Sequence, residues 1–220
     1  MPIHLQRDID VLKKKIVSLG TLVEENLARA IRAVETRDKD LALTVIEGDN
    51  EIDKLEIVVE DSCLKTLALN QPVAGDLRYI VAILKINSDL ERIGDMTVNI
   101  GERALELIAQ EKVEAPFFDF KLMSEKTRSM LKRSLDALIA LDPGLAQLVC
   151  SSDDEIDDMN REMFEKTKEE IKQHPEKFEY LIHLLSISRH LERIADHATN
   201  IAEDVIYMSE GLIVRHGGGK

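Results

Sequence analysis

Apolar and small side chains recur every three or four residues along most of this 220-residue chain, which is the spacing of one face of an amphipathic helix. The pattern predicts a first helix that ends near Arg37 and a second that begins at Asp38 or Asp40 and stops before Pro72. A third helix is expected over residues 75–110. The first half of the chain is therefore expected to contain three helices.

The second half repeats this plan after a short linker at residues 114–117. The periodicity predicts, in order, a shorter helix over 122–141, a turn at 142–144, a helix over 145–173, a break at His174-Pro175 and a last helix over 178–210. Residues 213–220, which include three consecutive glycines, are expected to form a disordered tail. The chain as a whole should therefore have about six long helices.

A direct sequence repeat supports this division. Residues 90–103 and 191–204 are identical at eight of fourteen positions, and residues 49–53 match 153–157 in the preceding helix. The expected fold is all-α, with two tandem three-helix bundles related by a pseudo-two-fold axis. The two units are expected at residues 1–112 and 117–212.

Composition agrees with an all-helical protein, because 32% of the residues are charged, only 4% are aromatic and Trp is absent. The formal net charge is −13 and no basic cluster offsets it, so direct binding to nucleic acid is not expected. The N-terminus lacks a basic region followed by an apolar stretch, and no run of about 18 apolar residues occurs. A cytoplasmic location is therefore expected.

The repeated segments keep their polar residues, which packing alone does not require. At 100° per residue, the retained acids and amide of the third helix fall within an arc of about 80°, and those of the last helix do the same. Each second helix adds two aspartates four residues apart. The residues on these faces are Asp49, Asp53, Glu91, Asp95, Asn99 and Glu102 in the first half, and Asp153, Asp157, Glu192, Asp196, Asn200 and Glu203 in the second.

Carboxylates at this spacing repel one another, and the repulsion grows when they are partly buried. A cation held by carboxylate and amide oxygens would offset it, and such ligands favour Mg, Mn, Ca or Fe over a thiolate-type zinc site. The simpler interpretation is a solvated acidic face. However, Ile80, Leu84 and Val98 project within about 20° of the acids, which places the acids at the edge of an apolar stripe. A metal site is therefore the preferred hypothesis.

Several segments resemble the signature of the PhoU family of bacterial phosphate-uptake regulators. They are Gln-Pro-Val-Ala at 71–74 with Asp-Leu-Arg at 76–78, Leu-Glu-Arg-Ile-Gly-Asp at 90–95, and Leu-Glu-Arg-Ile-Ala-Asp-His at 191–197. The resemblance implies a cytoplasmic, commonly dimeric negative regulator of phosphate uptake and the phosphate-starvation response, not an enzyme. It implies two partners, the ATPase subunit of the phosphate ABC transporter and the phosphate-sensing histidine kinase, so that membrane contact occurs only through partners.

The resemblance also implies metal ions, including multinuclear iron or zinc clusters, on the acid motifs. Matched residue by residue, the implied contacts are Asp49, Asp53, Glu91 and Asp95 in one half, and Asp153, Asp157, Glu192 and Asp196 in the other. Asn99, Glu102, Asn200 and Glu203 are added by helix geometry alone. The metal itself, whether Fe, Zn, Mg or Mn, stays open.

Two departures from the family pattern make the halves unequal. The first copy has Met96 where the second has His197, and the second copy lacks a recognisable Gln-Pro-x-x-x-Asp-Leu-Arg segment. The two sites are therefore expected to differ in occupancy or in metal. Orthophosphate binding stays open, because carboxylates repel it whereas a metal with an open coordination position could recruit it.

Two other functions fit part of the pattern. A carboxylate-bridged di-metal oxidase also uses acids on facing helices, but it normally needs Glu-x-x-His on two helices, and no such pair occurs in this sequence. A metal-free helical adaptor would fold fully and bind its partners after chelation. Metal analysis of the purified protein distinguishes the adaptor from the metal-binding regulator.

Overall fold

The computed structural model describes residues 3–111 and 120–211, and within these ranges it contains helices joined by short turns and no strand. The expected all-α class is confirmed. The described helices are α1 (Ile3–Thr36), α2 (Lys39–Asn70), α3 (Ala74–Ala109), α4 (Phe120–Ala140), α5 (Pro143–Cys150), α6 (Asp153–Gln173) and α7 (Phe178–Glu210), with a single turn of 3-10 helix at Pro175–Lys177. The predicted linker at 114–117 and the predicted tail at 213–220 lie outside the described residues.

Helix ends in the first half follow the expected local chemistry. The Asp38 carboxylate accepts a hydrogen bond from the backbone N–H of Leu41 at 3.0 Å, so Asp38 is the N-cap of α2. At the other end of α2, Gln71 adopts the left-handed conformation with φ 44°, directly before Pro72. The α2 to α3 turn therefore falls where the sequence predicts it.

The predicted continuous helix over 145–173 is wrong, because the chain breaks between α5 and α6. The Ser151 and Ser152 hydroxyls donate to the carbonyl oxygens of Gln147 and Leu148, at 2.9 and 2.8 Å. Serine side chains that bond to the backbone compete with regular helix geometry. Three consecutive acids then begin α6, where negative charge favours a new helix N-terminus.

The predicted turn at 142–144 is also wrong in part, because only its first residue lies outside a helix. Asp142 is the N-cap of α5 and accepts hydrogen bonds from the backbone N–H groups of Gly144 and Leu145. Pro143 occupies the first helical position, where its missing N–H leaves no bond unmade. The Asp-Pro-Gly sequence therefore starts α5, and only Leu141 and Asp142 separate α4 from α5.

One hydrophobic core runs through both halves. Fully buried side chains from the first three helices, such as Leu12, Ile52 and Ile93, belong to the same cluster as Leu131 and Ile194 from the second half. The halves therefore share apolar surface, as two antiparallel bundles packed side by side do. That residues 1–112 and 117–212 are separate domains stays a prediction.

Helices α3 and α7 form the junction between the halves. Lys85 Nζ lies 3.4 Å from Asp204, and Asp89 accepts hydrogen bonds from His197 Nδ1 at 2.7 Å and from the Asn200 amide at 3.2 Å. Residue numbers fall along α7 as they rise along α3, so the two helices are antiparallel. None of the described helices is long and apolar enough to cross a bilayer.

Candidate metal centre

The first acid cluster lies between α2 and α3. Burial, together with the nearby charges of Asp53 and Asp95, raises the pKa of Asp49 to about 6. Burial also raises the pKa of Glu91, with added repulsion from Asp95 on its own helix and from Glu56 and Asp53 on α2. Acids from the two helices therefore face one another across a partly buried gap.

Asp49 is the most constrained member of this cluster. Its Oδ1 is buried and has no hydrogen-bond partner among the described residues. The backbones approach closely here, because a Cβ added to Gly94 of α3 would lie 3.3 Å from Asp49 Oδ1 and 3.1 Å from Ile52 Cγ2. An unpartnered carboxylate oxygen among other acids is an available ligand for a hard cation.

The second acid cluster occupies the equivalent place between α6 and α7. Burial raises the pKa of Asp196, and the charge of Asp157 on α6 raises it further. Burial likewise raises the pKa of Glu192, followed by repulsion from Asp196 and Asp157. Burial raises the pKa of Asp153 too, although a hydrogen bond from Thr199 Oγ1 at 3.1 Å opposes the shift. The repeat therefore builds two facing acid clusters.

The four added residues have different surroundings. The Asn99 amide donates to the Asp95 carbonyl oxygen of its own helix at 2.8 Å. The Asn200 amide donates a hydrogen bond to Asp89 in the other half, so it is part of the α3–α7 junction. Glu102 is exposed and pairs with its neighbour Arg103. Helix geometry alone therefore does not separate ligand candidates from residues with other contacts.

Glu203 lies close enough to the Cys150 thiol for its charge to raise the pKa of that thiol. Burial raises the pKa of Cys150 to about 11, and the negative charges of Glu203 and Asp153 contribute. Glu203 and Cys150 thus lie beside the second cluster. The apolar periodicity predicts a continuous helix over 145–173, so it gives no sign that Cys150, at the end of α5, lies beside the acids.

Glu56 is a second neighbour that sequence reasoning missed. Burial, then Glu60, then Asp53 raise its pKa, and the Asn87 amide donates to its Oε1 at 3.0 Å and to its carbonyl oxygen at 3.2 Å. Its place three residues after Asp53 puts it on the same face of α2, so the helical periodicity contained the signal. The second half has Asn160 at the matching position.

The donor chemistry of both clusters fits a hard cation, since carboxylate oxygens from two helices face each other and one of them is buried without a partner. Within residues 3–111 and 120–211, no group of three or more His, Cys, Asp or Glu side chains forms a ready-made ligand set. Like charges that face one another repel until a cation lies between them. The assignment of ligands to these residues stays a prediction.

Comparison with known proteins identifies the same repeat. A family model described as the PhoU domain matches the chain twice, at residues 16–104 and 120–205. A "Phosphate-specific transport system accessory protein PhoU homolog" from Aquifex aeolicus is 40% identical over 212 residues, with 96% of each chain covered. A Thermotoga maritima protein described as homolog 1 of the same accessory protein is 34% identical, covering 95% of this chain and 90% of the relative.

Solved structures agree with this relationship. The crystal structure of PhoU from Pseudomonas aeruginosa superposes with a TM-score of 0.92 at 30% identity, covering 94% of this chain and 99% of that one. The structure of the phosphate transport system regulatory protein PhoU from Streptococcus pneumoniae gives a TM-score of 0.84 at 29% identity, covering 96% and 99%. The arrangement of helices described above is therefore shared along nearly the whole chain.

Proposed function

This chain belongs to the PhoU family, and on that premise we propose that it is a metal-binding negative regulator of phosphate uptake and of the phosphate-starvation response. The observation that carries the proposal is the match to the family model in both halves, together with relatives named as accessory proteins of the phosphate-specific transport system. These names describe accessory and regulatory proteins, not enzymes. The proposed role is accordingly protein–protein contact without catalysis.

The proposed partners are the ATPase subunit of the phosphate ABC transporter and the phosphate-sensing histidine kinase. Support comes from the relatives' description as transport-system accessory proteins and from the family resemblance. The proposed location is the cytoplasm, and the protein would contact the membrane only through these partners. The family resemblance further favours a homodimer, which sedimentation of the purified chain would test.

The acid clusters suggest how such contacts could be controlled. When bound, a Mg, Mn, Fe or Zn ion would supply the positive charge that offsets the repulsion between facing carboxylates. Asp49 and Asp53 would then hold α2 against the Glu91 and Asp95 face of α3, and the matching acids would hold α6 against α7. The spacing of each helix pair would be fixed, and with it the outer surface offered to the partners.

Deletion of the gene tests the regulatory role directly. In phosphate-rich medium, a strain without this protein should express phosphate-starvation genes that the parent strain keeps silent. The reason is that the kinase would lose the protein that keeps it inactive. A plasmid copy of the wild-type gene should restore silence. Unchanged expression of these genes in the deletion strain would contradict a role as a negative regulator.

A further inference from the structure

A cavity of about 580 Å³ lies between α6 and α7, immediately beyond the second acid cluster. Asp157 and Glu192 line the end near the cluster, and the side chains farther along are basic and then apolar. Phe164 and Ile182 are 52% and 39% exposed at the apolar end, so they offer apolar surface to a ligand in the cavity. The volume is in the range of small-molecule sites in proteins.

Three lining residues of this cavity, Arg161, Phe164 and Arg189, have residues of a different class at the matching positions of the first half. With the repeats aligned on their acid motifs, five lining positions differ in charge or character. The matched pairs are Glu56 and Asn160, Ile57 and Arg161, Glu60 and Phe164, Lys85 and Ser186, and Ser88 and Arg189. The formal charge of these five positions is −1 in the first half, from two Glu and one Lys, and +2 in the second, from two Arg. The metal-ligand candidates are shared, whereas the two arginines and Phe164 are particular to the second half.

The two arginines lie one helical turn from the acids. Arg161 follows Asp157 by four residues on α6, and Arg189 precedes Glu192 by three on α7, so each guanidinium is on the acid-bearing face of its helix. Both line the cavity, and Arg161 also pairs with the exposed Asp158. Guanidinium groups pair with phosphate through two parallel hydrogen bonds, so an arginine on each wall offers the charge and the donors that a phosphate group needs.

We propose that the cavity between α6 and α7 binds a phosphate group, with Arg161 and Arg189 holding the oxyanion beside the cation of the second acid cluster. Phe164 and Ile182 form an apolar wall that free phosphate leaves uncovered, so the observations favour a small organic phosphate. The inference rests on the cation of the proposed function. Without it the two arginines are outnumbered by Asp153, Asp157, Glu192 and Asp196, and a divalent ion brings the formal charge of these six side chains from −2 to zero.

Calorimetric titration of the full, untagged chain in Mg²⁺ tests the proposal, with AMP and inorganic phosphate as separate probes. Both probes should bind, and EDTA should abolish binding. Arg189→Ser, which installs the residue of the first half, should weaken both by about tenfold or more, on the order of one good charge-assisted contact. Arg133→Ser removes an equal charge from the exposed face of α4 and should bind like wild type.

The two probes also identify the source of the phosphate group. If the ligand is an organic phosphate, AMP should bind more tightly than inorganic phosphate, and Phe164→Ala should weaken the binding of AMP alone. Equal binding of the two probes, unaffected by Phe164→Ala, would identify free phosphate as the ligand and would still support the oxyanion site. Circular dichroism of each variant should match wild type, because the substituted side chains are exposed.

Elemental analysis of the same samples separates this inference from the proposed function. If the chain holds metal yet binds neither probe, or if Arg189→Ser binds both as wild type does, the inference is overturned and the metal-binding regulator stands. If the chain takes up no metal, the proposed cation is contradicted, and the cation-dependent phosphate site falls with it.

Discussion

Asp49 and Asp153 occupy matching positions in the two repeats but have different surroundings. Thr199 donates a hydrogen bond to Asp153, whereas Val98 stands at the matching position in the first half and offers no donor. Asp49 is consequently left with a buried oxygen without a partner among the described residues, and its pKa is raised to about 6. The first cluster therefore carries more uncompensated charge than the second when no cation is bound.

Asp49→Asn should stabilise the metal-free protein. The pKa of Asp49 is higher in the folded chain than its ordinary value of 3.8, so the folded state binds the proton more tightly. Stability is therefore lost as pH rises from about 4 to about 6, and the penalty is complete at pH 7. In EDTA at pH 7, the variant should gain about 1 kcal/mol of unfolding free energy, a value reduced for solvent screening, as measured by urea denaturation.

The same comparison at pH 4 should show little or no gain, since Asp49 is then largely protonated in the folded state. Asp153→Asn is the matched control, and its gain at pH 7 should be smaller because Thr199 already stabilises that carboxylate. An Asp49→Asn variant no more stable than wild type at pH 7 would contradict the buried, unpaired state of Asp49.

Periodicity and duplication predicted the eight acids of the paired motifs, because both signals depend on spacing along the chain. They did not predict which neighbours complete each cluster. Glu56 and Cys150 lie beside the acids through the packing of helices against each other, and Asn200 contacts Asp89 of the other half. Contacts between distant elements depend on helix rotation and register, which a single sequence does not specify.

Most helix boundaries were predictable because local residues determine them. A capping aspartate, a left-handed residue before proline and a glycine after the last helix mark the ends of α2 and α7. The break between α5 and α6 was missed, although Ser-Ser followed by three acids is a recognisable helix start. The apolar periodicity runs through Ser151 and Ser152 without interruption, so it outweighed the weaker capping signal.

At the level of helix pairs, each acid cluster should bind metal independently of the other. Glu91→Ala with Asp95→Ala should remove the metal of the first cluster, and Glu192→Ala with Asp196→Ala that of the second, because each repeat supplies one cluster. Helix content should be unchanged, since the substitutions remove repelling charges from a partly buried gap. Elemental analysis and circular dichroism of the purified variants measure the two effects.

A control pair with the same spacing is available on the exposed face of α6. Glu165 and Glu169 are four residues apart and pair only with nearby lysines on the same helix in the described structure. Replacing both by Ala should leave metal content and the metal-induced rise in melting temperature as in wild type. Equal metal content in wild type and in both cluster variants would refute the ligand assignment.

For the whole molecule, the shared core predicts that the two halves depend on each other. Side chains of α3 and α7 belong to one buried cluster, and polar bonds such as Asp89 to His197 join the same helices. Residues 1–112 expressed alone would expose the face of α3 that packs on α7. This fragment should be unfolded or self-associated, and the full chain should unfold in one transition.

Circular dichroism and sedimentation of the fragment measure this dependence. A monomeric fragment with full helix content and cooperative unfolding would show instead that each repeat is an independent domain. The number of repeats and the fold class were predictable from sequence, because duplicated motifs and helical periodicity are local. The extent of the shared core was not, because it depends on how the two repeats pack.

The central claim is that cations on the acid clusters fix the surface that the partners recognise. The most direct measurement is the affinity of the purified full chain for the transporter ATPase subunit, with and without chelator, for wild type and for a variant with Glu91, Asp95, Glu192 and Asp196 all replaced by Ala. The account predicts tight binding only for metal-loaded wild type, and weak binding for the chelated protein and for the folded variant. Equal affinity in all these states would contradict the claim and would favour a metal-free adaptor.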